Sequence, residues 1–298
     1  MDSQAITQML TSRKIKVLHL EPADVCQAAC PLCARETDTN FDKRNRHQLS
    51  VEMLERLLPE EFVTGLEKMF MCGNYGDPAA GNYTIAIYEW FRKLNPNITL
   101  GMNTNGAIGT TFWWHALAKI LNKPLDYVVF SIDGLENTNS DYRVNVNWSK
   151  LMQNAEAFIA AGGSAHWDML VYRHNQHQVD ECERLARDMG FRWFRAKVSK
   201  RPVIGRLEAP VGWQTPNVKA KAIDCHALQE QSIYIDAQGR VSPCCWLGSR
   251  QRDFITDFEQ VKSSWASSQP NIVCTDTCGV DNGNTSFVNQ WQKEIELC

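Results

Sequence analysis

Three cysteines, Cys26, Cys30 and Cys33, lie within eight residues near the start of the chain. Thiols crowded in this way in a reducing compartment bind metal more often than they form disulfides. Structural zinc takes four closed ligands, but no fourth cysteine follows nearby. A cubane iron–sulfur cluster normally has four thiolates, so three would leave one iron open to another ligand. The spacing favours an iron–sulfur site, with zinc or unligated thiols as the alternatives.

A second group of cysteines occupies the last quarter of the chain, at Cys225, Cys244, Cys245, Cys274, Cys278 and Cys298. The stretch "QSIYIDAQGRVSPC" is typical of a β-hairpin, because apolar residues alternate before an Ala-Gln-Gly turn. This hairpin would bring Cys225 near Cys244, and "CTDTC" would add two more thiolates. Four thiolates can hold either a cubane cluster or a zinc ion. We expect Cys245 to point away from Cys244, either packed or as an alternative ligand.

Six apolar runs alternate with helical patterns between residues 14 and 198. The runs predict strands over 14–20, 66–73, 97–106, 125–134, 165–175 and 191–198. The patterns between them predict helices over 50–62, 82–95, 111–122, 149–163 and 179–190, the first capped by Ser50 and the fourth ended by Gly162. Alternation of this kind predicts parallel βαβ units in an α/β fold. Six units are too few to close an eight-stranded barrel, so we expect a partial, TIM-like (β/α)6 barrel.

The predicted elements suggest three parts of the chain. Residues 1–200 would form the barrel, and residues 201–224, which are rich in proline and glycine, would form a linker. Residues 225–298 would form a small cysteine-rich module. In a barrel of this type the loops that follow the strands carry the active site, and the three-cysteine loop follows the first strand.

The motif Cys26-x3-Cys30-x2-Cys33 resembles the signature of the radical S-adenosylmethionine superfamily. The resemblance implies a partial (β/α)6 barrel whose three cysteines hold a catalytic [4Fe-4S] cluster. The open iron would bind S-adenosylmethionine, and an electron from the cluster would cleave it to a 5′-deoxyadenosyl radical that abstracts a substrate hydrogen. A low-potential electron donor of the flavodoxin or ferredoxin type is implied as a partner.

Further motifs fit the same resemblance. The turn "CGNYGDP" is similar to the family's Gly-Gly-Glu-Pro-like turn, which holds the methionyl amino group. Gly73 and Gly76 would let the backbone approach the cofactor, and Asp77 stands where glutamate is commoner. Family members also carry polar cofactor-binding groups at the positions of three further residues, which are Asn105 in "NTNG", Ser131 in "SIDG" and Arg143 in "DYRVN".

The spacing Cys225-x13-Gly239-x4-Cys244 is similar to the hairpin of SPASM and twitch modules, and the short version fits the twitch type. It implies an auxiliary [4Fe-4S] cluster, with Cys274 and Cys278 as its other ligands. Relatives with such modules modify peptides or proteins, which is the function we expect here. Radical oxidation (dehydrogenation) of a small molecule, such as an aminocyclitol or a nucleotide, is the alternative. A non-catalytic zinc-binding module is an alternative of another class.

Composition excludes few classes of protein. The chain has 298 residues and a net charge of −3, so it lacks the basic footprint of a nucleic-acid-binding protein. An RNA-modifying enzyme would need a local basic stripe. The first residues contain no continuous apolar segment of a secretory signal, and no apolar run is long enough to span a membrane. We therefore expect a cytoplasmic protein.

Overall fold

The computed structural model describes residues 14–198, 207–212, 223–250, 258–267 and 269–279. Within them one sheet runs in the order β6-β5-β4-β3-β2-β1-β7-β8. Its strands are β1 (Val17–Leu20), β2 (Lys68–Met71), β3 (Thr99–Thr104), β4 (Tyr127–Ser131), β5 (Ala165–Val171), β6 (Trp193–Val198), β7 (Ser232–Ile235) and β8 (Val241–Ser242). Strands β1 to β6 are parallel neighbours in chain order. The α/β partial-barrel fold and all six predicted strands are confirmed.

Helices connect the strands, as parallel pairing requires. They are α1 (Ala34–Thr37), α2 (Val51–Leu57), α3 (Glu60–Thr64), α4 (Thr84–Leu94), α5 (Thr111–Ile120), α6 (Glu136–Tyr142), α7 (Trp148–Ala160), α8 (Val179–Met189), α9 (His226–Gln229), α10 (Cys245–Arg250), α11 (Phe258–Trp265) and α12 (Ile272–Thr277). Ser50 caps α2, as its side chain accepts a hydrogen bond from the Met53 amide. Among the described residues no helix is long and apolar enough to cross a membrane.

One predicted helix is divided in two. Residues 50–62 form α2 and α3, because Leu58, which precedes Pro59, is extended with φ −114° and ψ 113°. Proline disfavours a helical conformation in the residue before it, which explains the break. Helix α7 ends before Gly162, as expected, and this glycine has φ +90°. Helix α6 was not predicted, because the sequence "ENTNSDY" has no apolar periodicity.

The two faces of the sheet differ in character. One face packs against the helices through fully buried apolar side chains, which are Leu18, Met69, Leu100, Val128 and Trp167. Since side chains alternate along a strand, the intervening residues point to the barrel interior. His19, Phe70, Gly101 and Tyr127 form one such row across β1 to β4. The interior face therefore carries polar and aromatic groups, as a binding site requires.

The C-terminal hairpin belongs to the same sheet as the barrel. Strand β7 pairs parallel to β1, with Val17 opposite Ser232, and antiparallel to β8. The predicted turn is confirmed, and Gly239 adopts the left-handed conformation, with φ +76°. The expected domain boundaries at 200 and 224 fall in or beside residues outside the described ranges. They stay predictions, and Cys298 also lies outside those ranges.

Candidate active site

The three-cysteine loop follows β1, at the edge of the sheet where the parallel strands end. Its second half is a tight turn, since the Cys33 amide donates to the Cys30 carbonyl at 2.9 Å. Cys33 then stands as the N-cap of α1. The loop is also tied to the segment after α6, because the Ala29 amide donates to the Val144 carbonyl at 3.0 Å. The predicted cysteines thus lie at the edge expected of an active site.

Each cysteine of the loop lies beside a polar group from a different part of the sheet edge. The Asn105 amide nitrogen, after β3, donates to Cys26 Sγ at 3.7 Å. The Cys33 thiol donates to the Asn74 carbonyl, after β2, at 3.6 Å. The Arg143 guanidinium lies close enough to Cys30 to favour its ionised form. The structure therefore brings Asn105 and Arg143, two of the residues predicted to bind the cofactor, to the cysteines.

Burial dominates the ionisation of Cys26 and Cys30. Burial and, to a smaller extent, the neighbouring Asp77 carboxylate together raise the pKa of Cys26 to about 12. Burial also raises the pKa of Cys30, against the opposing effect of Arg143. Protein thiols of this kind stay protonated at neutral pH until a cation binds, because a coordinating metal deprotonates its thiol ligand. Three cysteine thiols on one loop are a donor set that fits an iron–sulfur cluster.

The β2 turn (residues 72–77) packs directly against the cysteine loop. A Cβ at Gly76 would lie 1.9 Å from the Ala23 carbonyl oxygen, and one at Gly73 would lie 2.1 Å from the Gly76 carbonyl oxygen. Neither position has room for a side chain. The two glycines are thus required by the chain's own packing, and their approach to a cofactor stays a prediction.

Asp77 is buried, and its carboxylate is occupied by the protein. One oxygen accepts from the Thr104 hydroxyl at 2.8 Å and the Ala79 amide at 2.9 Å. The other accepts from the backbone and side-chain nitrogens of Asn105, both at 2.7 Å. Asp77 therefore orients Asn105 beside Cys26, and a direct contact of Asp77 with a cofactor stays a prediction.

Arg143 is held in place by a buried carboxylate. Its Nε donates to Asp133 Oδ2 at 2.6 Å, and the Arg143 side chain is only 16% exposed. Asp133 also accepts from the Leu170 amide at 2.6 Å, which fixes the carboxylate. Burial raises the pKa of Asp133, while Arg143 opposes that shift. The pair places a guanidinium at the cysteine loop.

Ser131 lies on the interior face, in register with Asp168 of β5. Within the described ranges its hydroxyl makes no hydrogen bond to the three-cysteine loop. Asp168 accepts from Arg195 Nε at 2.9 Å and from Lys197 Nζ at 2.6 Å. These charged side chains form a polar row beyond Ser131, which the sequence did not single out as a group.

Two residues of the site carry no motif in the sequence. Glu21 is 1% exposed and accepts from the amides of Tyr75 at 2.7 Å and Gly76 at 3.0 Å. Arg35, also buried, donates to the carbonyls of Asp24 at 2.7 Å and Tyr75 at 3.1 Å. Both side chains tie the cysteine loop or its strand to the β2 turn. A charged residue directly after a buried strand is the one signal that marks Glu21.

The four C-terminal cysteines expected to act as ligands come together in a second group. The thiols of Cys225 and Cys278 interact, which lowers the pKa of Cys278 and raises that of Cys225. Cys244 is close enough to both Cys274 and Cys278 for their charges to raise its pKa, although burial is the larger cause. Across the described ranges, no three His, Cys, Asp or Glu side chains are set at the spacing of a single metal ion.

Local structure explains how the second group is positioned. Asn271 caps α12, accepting from the amides of Val273 and Cys274, and so sets Cys274 and Cys278 one turn apart. The backbone amides of Trp246 and Leu247 face the sulfur of Cys244 at the start of α10. Cys245 is the first residue of α10, so the two adjacent cysteines do not lie on an extended strand as the sequence prediction assumed. Burial raises the pKa of Cys245, and the nearby Cys244, Cys72 and Glu21 act in the same direction.

Comparisons with known proteins bear on this arrangement. A family model described as "Radical SAM superfamily" matches residues 20–192, which is more than half of the chain. No curated protein sequence matches the chain significantly.

Several solved structures share the fold. Streptococcus suis SuiB bound to S-adenosylmethionine matches with a TM-score of 0.58 and 14% identity, over 82% of this chain and 64% of that one. The chain thus spans just under two thirds of the length of that relative. SuiB bound to the precursor peptide SuiA matches with a TM-score of 0.57 and 13% identity, over 96% and 70% of the two chains. The protein anSMEcpe with bound AdoMet and Cp18Cys peptide matches with a TM-score of 0.54 and 14% identity, over 77% and 73%.

Proposed function

Because the chain belongs to the Radical SAM superfamily, we propose that this radical S-adenosylmethionine enzyme modifies a residue of a peptide or protein. Members of the superfamily use a [4Fe-4S] cluster and S-adenosylmethionine. Family membership contradicts the non-catalytic zinc-binding alternative. The proposal rests above all on the three-cysteine loop, where Cys26, Cys30 and Cys33 lie at the carboxyl edge of the parallel sheet.

Cys26, Cys30 and Cys33 would hold the cluster, which when bound supplies the electron that cleaves S-adenosylmethionine. Asn105, oriented by Asp77, donates to Cys26 and so stabilises its thiolate form. Arg143 offsets negative charge at Cys30, in a position held by its ion pair with Asp133. The β2 turn, with Gly73, Gly76 and Asp77, and Ser131 on the interior face would bind S-adenosylmethionine.

The barrel interior supports a substrate that carries amide groups. Asn103 of β3 is 9% exposed, and its side-chain oxygen has no hydrogen-bond partner among the described residues. A buried amide without a partner is costly, so a ligand that donates there would be favoured. Peptide amides are such donors. SuiB and anSMEcpe have been solved with peptides bound, which supports the same class of substrate here.

The second cysteine group would hold an auxiliary [4Fe-4S] cluster, with Cys225, Cys244, Cys274 and Cys278 as ligands. The mutual effects of these four thiols on their pKa values support this assignment. Iron analysis tests it. The Cys278→Ser variant should lose the iron of one cluster and keep that of the other, and full iron content in this variant would overturn the assignment.

The radical chemistry is tested anaerobically by the formation of 5′-deoxyadenosine from S-adenosylmethionine. The protein is reconstituted with iron and sulfide and reduced with dithionite, which stands in for the flavodoxin- or ferredoxin-type donor that we propose as a partner. We expect product with the wild type and none with Cys30→Ala. Cys182→Ala, at a buried cysteine on α8, is the matched control and should keep activity. Product from Cys30→Ala equal to wild type would overturn the proposed cluster site.

The class of substrate is tested by isotope transfer. Fully deuterated peptides and, separately, deuterated aminocyclitols and nucleotides are supplied to the active enzyme. Mass spectrometry of 5′-deoxyadenosine then reports which mixture donates deuterium. Transfer from the peptide mixture supports the proposal, whereas transfer from the small molecules alone would replace it with small-molecule oxidation.

A further inference from the structure

The β2 turn is bonded to the C-terminal part of the chain as well as to the barrel. Asn74 Nδ2 donates to the Cys245 carbonyl and to the Tyr234 hydroxyl, both at 3.2 Å. The Tyr75 hydroxyl lies 2.8 Å from the Ser249 carbonyl and also 2.8 Å from Asp38 Oδ2, so its one proton has two possible acceptors. Cys245 and Ser249 both belong to α10. Two consecutive side chains of the turn thus attach it to one short helix.

The other side of the same turn faces the first cysteine site. The Asn74 carbonyl accepts from the Cys33 thiol at 3.6 Å. Gly76 packs on the Ala23 carbonyl, and the Asp77 amide donates to the Val25 carbonyl at 2.8 Å. The β2 turn therefore lies between the two cysteine groups and contacts both of their supporting segments.

Helix α10 lies between the hairpin strands β7 and β8 and the second cysteine group. It begins directly after Cys244, whose sulfur faces the amides of Trp246 and Leu247. Leu247 packs with Val273 and Cys274 in a small separate core. A metal group that gathers the four thiols would therefore fix the position of α10, and α10 carries the acceptors for Asn74 and Tyr75.

We propose that the four-cysteine site is coupled to S-adenosylmethionine binding through Asn74 and Tyr75, which act as positioning residues. Filling the C-terminal site fixes α10, and α10 holds the β2 turn in its binding conformation. The ligands of the two sites are those of the proposed function, on which this inference rests. Coupling between two sites is reciprocal in their binding free energies, so bound S-adenosylmethionine must also tighten the binding of metal at the C-terminal site.

Equilibrium dialysis of S-adenosylmethionine against the cluster-loaded protein tests the coupling. Asn74→Ala and Tyr75→Phe each remove hydrogen bonds to α10, so each should weaken binding about fivefold to tenfold. Asn97→Ala and Tyr83→Phe change exposed residues of the same types and should leave binding unchanged. In Cys278→Ser the four-cysteine site no longer fixes α10, so adding Asn74→Ala should weaken S-adenosylmethionine binding little further.

Spectroscopy separates positioning from a general loss of structure. Addition of S-adenosylmethionine should shift the electron paramagnetic resonance signal of the reduced first cluster in the wild type. In Asn74→Ala the shift should need about fivefold to tenfold more S-adenosylmethionine, while iron content and thermal stability stay near wild type. Wild-type affinity in both Asn74→Ala and Tyr75→Phe would overturn the coupling.

A chelator assay covers the case in which Cys278→Ser does not fold. The wild type is equilibrated with increasing concentrations of an iron chelator, with and without S-adenosylmethionine, and the iron retained at the C-terminal site is measured. If S-adenosylmethionine raises the chelator concentration at which half of this iron is lost, the coupling is supported, and an unchanged concentration overturns it. The two proposals fail differently, since a wild type that yields no 5′-deoxyadenosine refutes the proposed function, whereas normal yield with uncoupled sites refutes only the coupling.

Discussion

Replacing Glu21 with glutamine should change how the stability of the protein depends on pH. The Glu21 carboxylate is buried at the end of β1, where it accepts from the amides of Tyr75 and Gly76 and from the Tyr234 hydroxyl. Burial raises the pKa of Glu21 from 4.5 to about 7, because the cost of desolvation exceeds the benefit of these hydrogen bonds. Glutamine keeps an acceptor for the two amides and cannot ionise.

The sign and the magnitude follow from that pKa. Between about pH 4.5 and pH 7 the folded protein holds a proton on Glu21 that the unfolded chain has lost. The free energy of unfolding therefore falls as the pH rises through this window. At about 1.4 kcal/mol per pH unit, the total is roughly 3 kcal/mol, of which about 2.5 kcal/mol lies between pH 5 and pH 8.

Urea unfolding of the wild type and Glu21→Gln at pH 5, 6, 7 and 8 measures the pH-dependent contribution of Glu21 to the free energy of unfolding. His19 acts in the opposite direction, since burial lowers its pKa to about 4 and stability is lost as the pH falls from about 6.5 towards 4. That contribution is common to both proteins and cancels in the difference between them. The wild type should lose about 2.5 kcal/mol relative to Glu21→Gln from pH 5 to pH 8. A difference that does not vary with pH would refute the argument from desolvation.

Substitutions at three further residues test contacts at the site. Arg143→Gln leaves the buried Asp133 carboxylate without its ion-pair partner and should lower the free energy of unfolding by about 3–5 kcal/mol, with a smaller loss for Arg143→Lys. Equal losses for the two variants in urea unfolding would contradict this. Asp77→Asn replaces one carboxylate oxygen, which accepts two of the four hydrogen bonds, with an NH2 group. This change should cost about 2–4 kcal/mol, measured as a lower Tm, and an unchanged Tm would argue against those bonds. Gly76→Ala puts a Cβ 1.9 Å from a backbone oxygen and should greatly reduce the yield of folded protein. Gly162→Ala meets open space at φ +90° and should cost only about 1–2 kcal/mol.

Local regularities in the sequence predicted the barrel and the two cysteine groups. Strands and helices have periods of 2 and 3.6 residues, so buried strands such as Tyr127–Ser131 and apolar stripes such as Leu151, Ala155 and Phe158 show in the sequence itself. The C-x3-C-x2-C spacing is equally local. Helix α6 escaped prediction because its segment has no apolar stripe.

The residues that connect the two cysteine sites could not be predicted in this way. Asn74, Tyr75 and Glu21 belong to no motif that specifies a partner, and the Tyr75 hydroxyl meets a carbonyl 174 residues away. Periodicity tells which face of an element is buried but not which distant element covers it. The pairing of β7 with β1 is of the same kind, since a strand pattern does not name its neighbour.

The sequence by itself therefore determined the order of the six barrel strands, the cysteine ligands to be tested and the edge of the sheet at which the first site lies. Only the tertiary structure decided that the Asp77 carboxylate orients Asn105, that Arg143 forms an ion pair with Asp133, and that α10 is hydrogen-bonded to the β2 turn. The physical reason is that buried polar groups must find hydrogen-bond partners. Those partners are chosen by the packing of the whole chain.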